Sequence, residues 1–299
     1  MRTRSAAVVL AGALLLTGCG GTDEPSAQET RTPSPSASPS APTSPSPPAS
    51  PGTTLTPRTP PARPAPGTVP PPWLGTRVLP EQPGGFGEVR PTPRELQRRR
   101  FTLPDRLPAL PGAGFASQIA SPAPNDVLRR STWEPGCPVG RDDLAWVRLT
   151  FWGFDDRRHT GELLVHRTVA RPLVRVFGEL YRARFPIEEM RITRRAELDA
   201  PPTGDGNNTG VFVCRATTGA TSYSQHAYGL AVDLNPFHNP YVKGDLVLPE
   251  LASAFLDRDR ARPGMVDDEV VRAFARIGWG WGGSWQTLKD YQHFSRDNR

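Results

Sequence analysis

Long apolar runs, lysine, cysteine and histidine are all scarce in this chain of 299 residues. The apolar run Ala6 to Leu16 is too short to cross a bilayer, which excludes a spanning helix there. With Arg2 and Arg4 ahead of it and small residues behind, it reads as an export signal. Only Lys243 and Lys289 among the 36 basic residues are lysine, a bias that reads as genome-wide rather than site-driven. The net charge of +6 fits a general affinity for anionic envelope polymers. No basic face with interleaved aromatics accompanies it, so no nucleic-acid partner is expected. The cluster Arg98-Arg99-Arg100 reads as a solvated linker end. Regular βαβ repetition is also lacking, which leaves an α+β domain with a small antiparallel sheet and flanking helices.

Leu16-Thr17-Gly18-Cys19 resembles a bacterial lipobox. It implies a signal peptide over 1–18, lipidation of Cys19, and an extracytoplasmic protein anchored to the cell membrane. Nearly half of the 36 prolines lie between Arg31 and Pro80, among Ser, Thr and Ala. Such a stretch has too few apolar residues to offset its ordering entropy, so residues 19–90 are expected to be a disordered tether. Residues 91–118 are expected to be a linker or domain extension, and 119–299 the folded domain, large enough for one core and expected to be monomeric. With Cys19 lipidated, Cys137 and Cys214 remain in an oxidising compartment and are expected to pair.

Within that domain Val147, Leu149 and Phe151 alternate with Arg148, Thr150 and Trp152. A second apolar run, Leu163 to Val165, lies beyond the turn-prone Asp155-Asp156, which predicts a hairpin. Val169, Leu173, Val176, Phe177 and Leu180 form one helical stripe with Pro172 in its first turn, ended by Phe185-Pro186. Short strands are expected at Met190 to Ile192 and Val211 to Val213. A last helix, from about Asp267 to Ile277, turns Val270, Val271, Phe274 and Ile277 inward and stops at Gly278.

The chemistry lies in Ser224-Gln225-His226-Ala227-Tyr228-Gly229-Leu230-Ala231-Val232-Asp233 and in Asp290-Tyr291-Gln292-His293-Phe294. Two histidines and two carboxylates are the inventory of a mononuclear zinc site with a proton acceptor beside it. Gly229 and the following Asn235-Pro236 argue against a helix and for a turn leading into a strand. In that strand Leu230, Val232 and Leu234 face the core, while Ala231 and Asp233 face the site. His293 supplies a third ligand, and Asp290, three residues earlier, is placed to take a proton. His159, His166 and His238 have no such neighbours and read as surface or packing residues. Trp279, Trp281 and Trp285, set among glycines, suit either a substrate groove or the core.

Ser224-x-His226-x-x-Gly229-x-Ala231-x-Asp233, Gly278-Trp279-x-Trp281-Gly282-Gly283-x-Trp285 and Asp290-x-x-His293-Phe294 together resemble the VanY-like D-alanyl-D-alanine carboxypeptidase family of zinc peptidases. The likeness extends upstream through Pro135-Gly136-Cys137-Pro138, Gly161-Glu162-Leu163, Phe185-Pro186-Ile187 and Asn207-Asn208-Thr209. It implies a Hedgehog/DD-peptidase-like fold and a peptidase that cuts peptidoglycan stem peptides. His226, Asp233 and His293 would hold zinc, and Asp290 would be the general base. Ser224 and an upstream arginine, matched here by Arg215, would face substrate. Ser295 departs from the family, many of whose members carry an acidic residue after His-Phe. D-Ala-D-Ala carboxypeptidase activity is the first expectation; an L-Ala-D-Glu-type endopeptidase and an inactive zinc-containing wall-binding lipoprotein are the alternatives.

Overall fold

The computed structural model describes residues 64–217 and 221–298. The expected signal segment, Cys19 and the tether up to residue 63 lie outside the described residues. No helix among the described residues is long and apolar enough to cross a membrane.

The chain forms β1 (Ser117–Ala120), α1 (Asn125–Arg130), β2 (Leu144–Trp152), β3 (Arg158–His166), α2 (Ala170–Arg182), β4 (Glu189–Met190) and β5 (Asn208–Thr209). It continues with β6 (Ala231–Asp233), β7 (Tyr241–Lys243), β8 (Leu246–Leu248), α3 (Asp268–Ala275), β9 (Gly280–Trp281), β10 (Lys289–Asp290) and β11 (His293–Ser295). The class is α+β, but one small sheet is replaced by several. Antiparallel sheets run β1-β2-β3, β10-β7-β8 and β6-β11-β9, and β4 pairs with β5 in parallel.

The expected hairpin is β2–β3, with Val147 opposite Leu163 and Leu149 opposite Gly161. Its turn places Asp156 at positive φ, and the Arg157 N–H donates to the Asp155 carboxylate. Helix α2 lays Leu173, Val176, Phe177 and Leu180 on the sheet. Pro172 is tolerated because first-turn N–H groups have no partner inside a helix. In α3 the Asp267 side chain accepts the Glu269 and Val270 N–H groups, and Gly278 turns the chain away at φ +78°. Val270 and Phe274 are buried, and the Phe274 ring stacks on Phe294 of β11 at 3.9 Å. This core therefore reaches the strand that carries His293.

Three expectations are corrected. Residues 64–90, expected as the end of a disordered tether, belong to the same compact unit as the rest, and 91–118, expected as a linker or domain extension, pack as an extension of the domain. Leu79, Leu96 and Phe101 are buried with Phe237, Val247, Leu251 and Phe255 in a second core. The burial of these scattered apolar side chains offsets the ordering cost of a proline-rich segment. Arg98-Arg99-Arg100 is not simply a solvated end: Arg99 is 3% exposed and grips Glu188 through two hydrogen bonds of 2.6 and 2.7 Å. Val211 to Val213 is not a strand, because its backbone serves the site instead: the Val213 N–H donates to the His226 carbonyl and the Val211 carbonyl accepts the His226 ring. The strand pairing expected there falls on Asn208–Thr209, and that expected at Met190 to Ile192 on Glu189–Met190.

Candidate metal centre

His226 sits in a single 3-10 turn, Gln225–Tyr228, whose first N–H groups need an acceptor. Ser224 Oγ provides one, taking the His226 N–H at 3.3 Å. Gly229 ends the turn at φ +67°, and a Cβ there would lie 2.5 Å from the backbone nitrogen of His166. Only glycine fits both the torsion and the approach to β3. The chain then enters β6, where Val232 points into the core and Asp233 to the opposite face. Strand β11 pairs with β6 so that His293 lies directly opposite Asp233 and Ser295 opposite Ala231. Buried Phe294, between the two, fixes which face His293 takes.

Three ligand atoms converge. His226 Nε2, His293 Nδ1 and Asp233 Oδ1 are each 3.2 Å from the other two. A tetrahedral zinc with bonds near 2.0 Å has ligand–ligand edges of about 3.3 Å. The orientation points the same way: His226 Nδ1 donates to the Val211 carbonyl at 2.6 Å, which turns Nε2 toward the cluster. Burial opposes ionisation of Asp233, but the charges and hydrogen bonds of His226 and His293 outweigh it and hold its carboxyl well below the usual range. Two imidazole nitrogens and a carboxylate oxygen converging at these distances suit a cation, and the residues fit zinc.

Asp290 stands beside this triangle on β10, opposite Tyr241 of β7. A Cβ at Gly282 would come 2.6 Å from the Asp290 carbonyl, so this glycine lets β10 close in. Asp290 Oδ1 is buried without a hydrogen-bond partner. Burial, then the charge of Asp233, push the Asp290 carboxyl up to about 7, against opposing pulls from His293, Arg215 and the Gln292 hydrogen bond. The shift gives this group an affinity for protons matched to neutral pH.

His226, Asp233, His293 and Asp290 all line one open cavity of about 1310 Å³ that also takes in Ser224 and Arg215. Arg215 is exposed, and its guanidinium donates to the Ala216 carbonyl. Cys137 and Cys214 form a disulfide, so the residue before Arg215 is covalently tied to the loop after α1. The tryptophans divide: Trp279 is core, Trp281 packs against Phe294, and Trp285 lines the cavity 5.5 Å from the His293 ring. His159, His166 and His238 lie elsewhere, bonded to Asp105 and Asp155, to Thr168, and to Asn207 and the Arg99 carbonyl.

Sequence reasoning missed Tyr241, Lys243 and Leu248 on the cavity wall. The signal was the alternation across Lys243-Gly244-Asp245, a hairpin with glycine in its turn. The chain matches no curated protein and no solved structure. Residues 218–296, which carry His226, Asp233, Asp290 and His293, match the family model described as D-alanyl-D-alanine carboxypeptidase.

Proposed function

We propose that the protein is an extracytoplasmic zinc peptidase, held at the cell membrane by lipidated Cys19, that hydrolyses peptidoglycan stem peptides as a D-Ala-D-Ala carboxypeptidase. It would act as a monomer on a Hedgehog/DD-peptidase-like domain. One observation carries the reading: three ligand atoms spaced as on a tetrahedral ion, with the unpartnered Oδ1 of Asp290 buried beside them on the wall of an open cavity.

His226, Asp233 and His293 would hold the zinc, which when bound supplies Lewis acidity at the scissile carbonyl and acidifies the attacking water. Asp290 takes the proton from that water and returns it to the departing amine. Burial, which raises the proton affinity of this carboxyl, suits it to both transfers. The hydrogen bond from His226 Nδ1 to Val211 keeps the imidazole in one tautomer. Exposed Arg215 on the cavity wall would hold the terminal carboxylate of the substrate, and Ser224 both caps the His226 turn and presents its side chain to the cavity.

Mass spectrometry of muropeptides digested with the purified protein tests the reading. Loss of one alanine from pentapeptide stems is the expected result. Cleavage between L-Ala and D-Glu would move the assignment to an endopeptidase, and absence of any cleavage by zinc-loaded protein would leave a binding module.

A further inference from the structure

The three arginines at 98–100 do not act alike. Arg99 turns inward, where its guanidinium bonds both Glu188 oxygens and the Asp205 carbonyl and lies over the Phe237 ring at 4.4 Å. Its neighbours Arg98 and Arg100 are left exposed on the outer side. The backbone here is held, since the Arg100 N–H donates to the Gly67 carbonyl at 2.9 Å. A Cβ at Gly67 would collide with the Arg98 carbonyl, so the two segments approach as closely as glycine permits. A buried ion pair thus anchors two outward arginines on a fixed stretch of chain.

Facing them across a cavity of about 490 Å³ are Arg260 and Arg262. The Arg262 guanidinium donates to the Gln97 carbonyl at 3.0 Å and lies over the Phe255 ring at 4.7 Å. Burial and then the positive charge of Arg260 lower its affinity for a proton, against the opposing charge of Asp257, which lies outside the cavity lining. No carboxylate lines this cavity, and Arg98, Arg100 and Arg260 make no ion pair among the described residues. Arg260 and Arg262 repel one another, and a multivalent anion held between the walls would relieve that repulsion. Guanidinium groups offer paired N–H donors that match tetrahedral phosphate oxygens, and several can share one phosphate. The cavity shares no lining residue with the metal centre.

We propose that the cavity between Arg98–Arg100 and Arg260–Arg262 is a binding site for a phosphate group, carried as a monoester or diester. It is separate from the peptidase site and does not depend on that assignment.

Calorimetric titration of the full-length protein with inorganic phosphate, against chloride at equal ionic strength, tests it. The expected result is saturable binding that persists after zinc is removed by chelation. Binding should weaken at least tenfold in Arg100→Ala/Arg260→Ala, while stem-peptide hydrolysis and melting temperature stay unchanged. Arg100→Lys/Arg260→Lys, which keeps the charges but loses the paired donors, should fall between. Co-sedimentation with phosphatidylglycerol vesicles, compared with phosphatidylcholine vesicles, separates the sources. Arginine-dependent sedimentation assigns the phosphate to a lipid headgroup, and its absence alongside phosphate binding assigns it to a soluble or polymeric ester. Absence of phosphate binding at millimolar concentration, binding that survives both double substitutions, or binding lost with the zinc would each overturn the proposal.

Discussion

Gly229→Ala probes the joint between His226 and Asp233 with a single methyl group. Two costs are expected, and the structure separates them. Alanine at φ +67° loses about 1 kcal/mol relative to glycine from the torsion alone. The added Cβ would also stand 2.5 Å from the His166 nitrogen and 3.0 Å from the Val165 carbonyl carbon, backbone atoms of β3 that cannot rotate away. Such overpacking costs about 1–3 kcal/mol more. Gly75 is the control: its φ is +69°, nearly the same, but a Cβ there meets nothing within 4 Å. For a unit of this size 1 kcal/mol corresponds to about 2–4 °C in melting temperature. Gly75→Ala should therefore melt about 2–4 °C below the parent and Gly229→Ala about 5–15 °C below. Because the displaced turn carries a ligand, zinc affinity should fall at least tenfold in Gly229→Ala alone. Scanning calorimetry and a competitive zinc titration read both. Equal melting losses in the two variants, or unchanged zinc affinity, would refute the claim that β3 presses on this turn.

Asp290→Asn keeps shape but removes the basic carboxylate, so turnover on a pentapeptide stem should fall by about a hundredfold to ten-thousandfold while zinc content is unchanged; parent-like turnover would exclude Asp290 as the base. Reduction of the Cys137–Cys214 bridge, which closes a loop of sequence separation 77, should cost up to about 4 kcal/mol in the chain-entropy model. Urea unfolding with and without reductant measures it, and coincident curves would deny the bridge a stabilising role. His238 is buried between Phe154 and Phe255, and burial first, then nearby Arg99, lower its pKa from 6.5 to about 3. Between those values the unfolded chain binds a proton that the folded one refuses, so stability should fall as pH drops from about 6.5 toward 3. In His238→Gln that part of the slope should vanish, as urea unfolding across this range would show; an unchanged slope would contradict a neutral buried His238.

The placing of the candidate ligands was legible because strand and turn rules act locally. Gly229 signalled a turn, period two put Ala231 and Asp233 on one face, and the structure pairs both with β11 as that reading requires. The hairpin β2–β3 and helices α2 and α3 were legible for the same reason, each having a clear apolar period. Residues 64–118 were not, because Leu79, Leu96 and Phe101 follow neither helix nor strand spacing and find their partners some 150 residues away. Arg99 was misread because its partner Glu188 is 89 positions distant, and nothing local separates a buried arginine from its exposed neighbours. At Val211–Val213 the β-branched pattern suggested a ladder, but tertiary demand from His226 took the backbone groups that a ladder would have used.

The central claim is that His226, Asp233 and His293 form one zinc site, and metal analysis of the purified protein beside His226→Ala and His293→Ala tests it most directly. Each substitution removes one of three ligands, and with it a large part of the affinity. The account predicts one zinc per chain in the parent, and loss of both zinc and peptidase activity in each variant. Full zinc occupancy in both variants, or a zinc-free parent that still cleaves stem peptides, would contradict it.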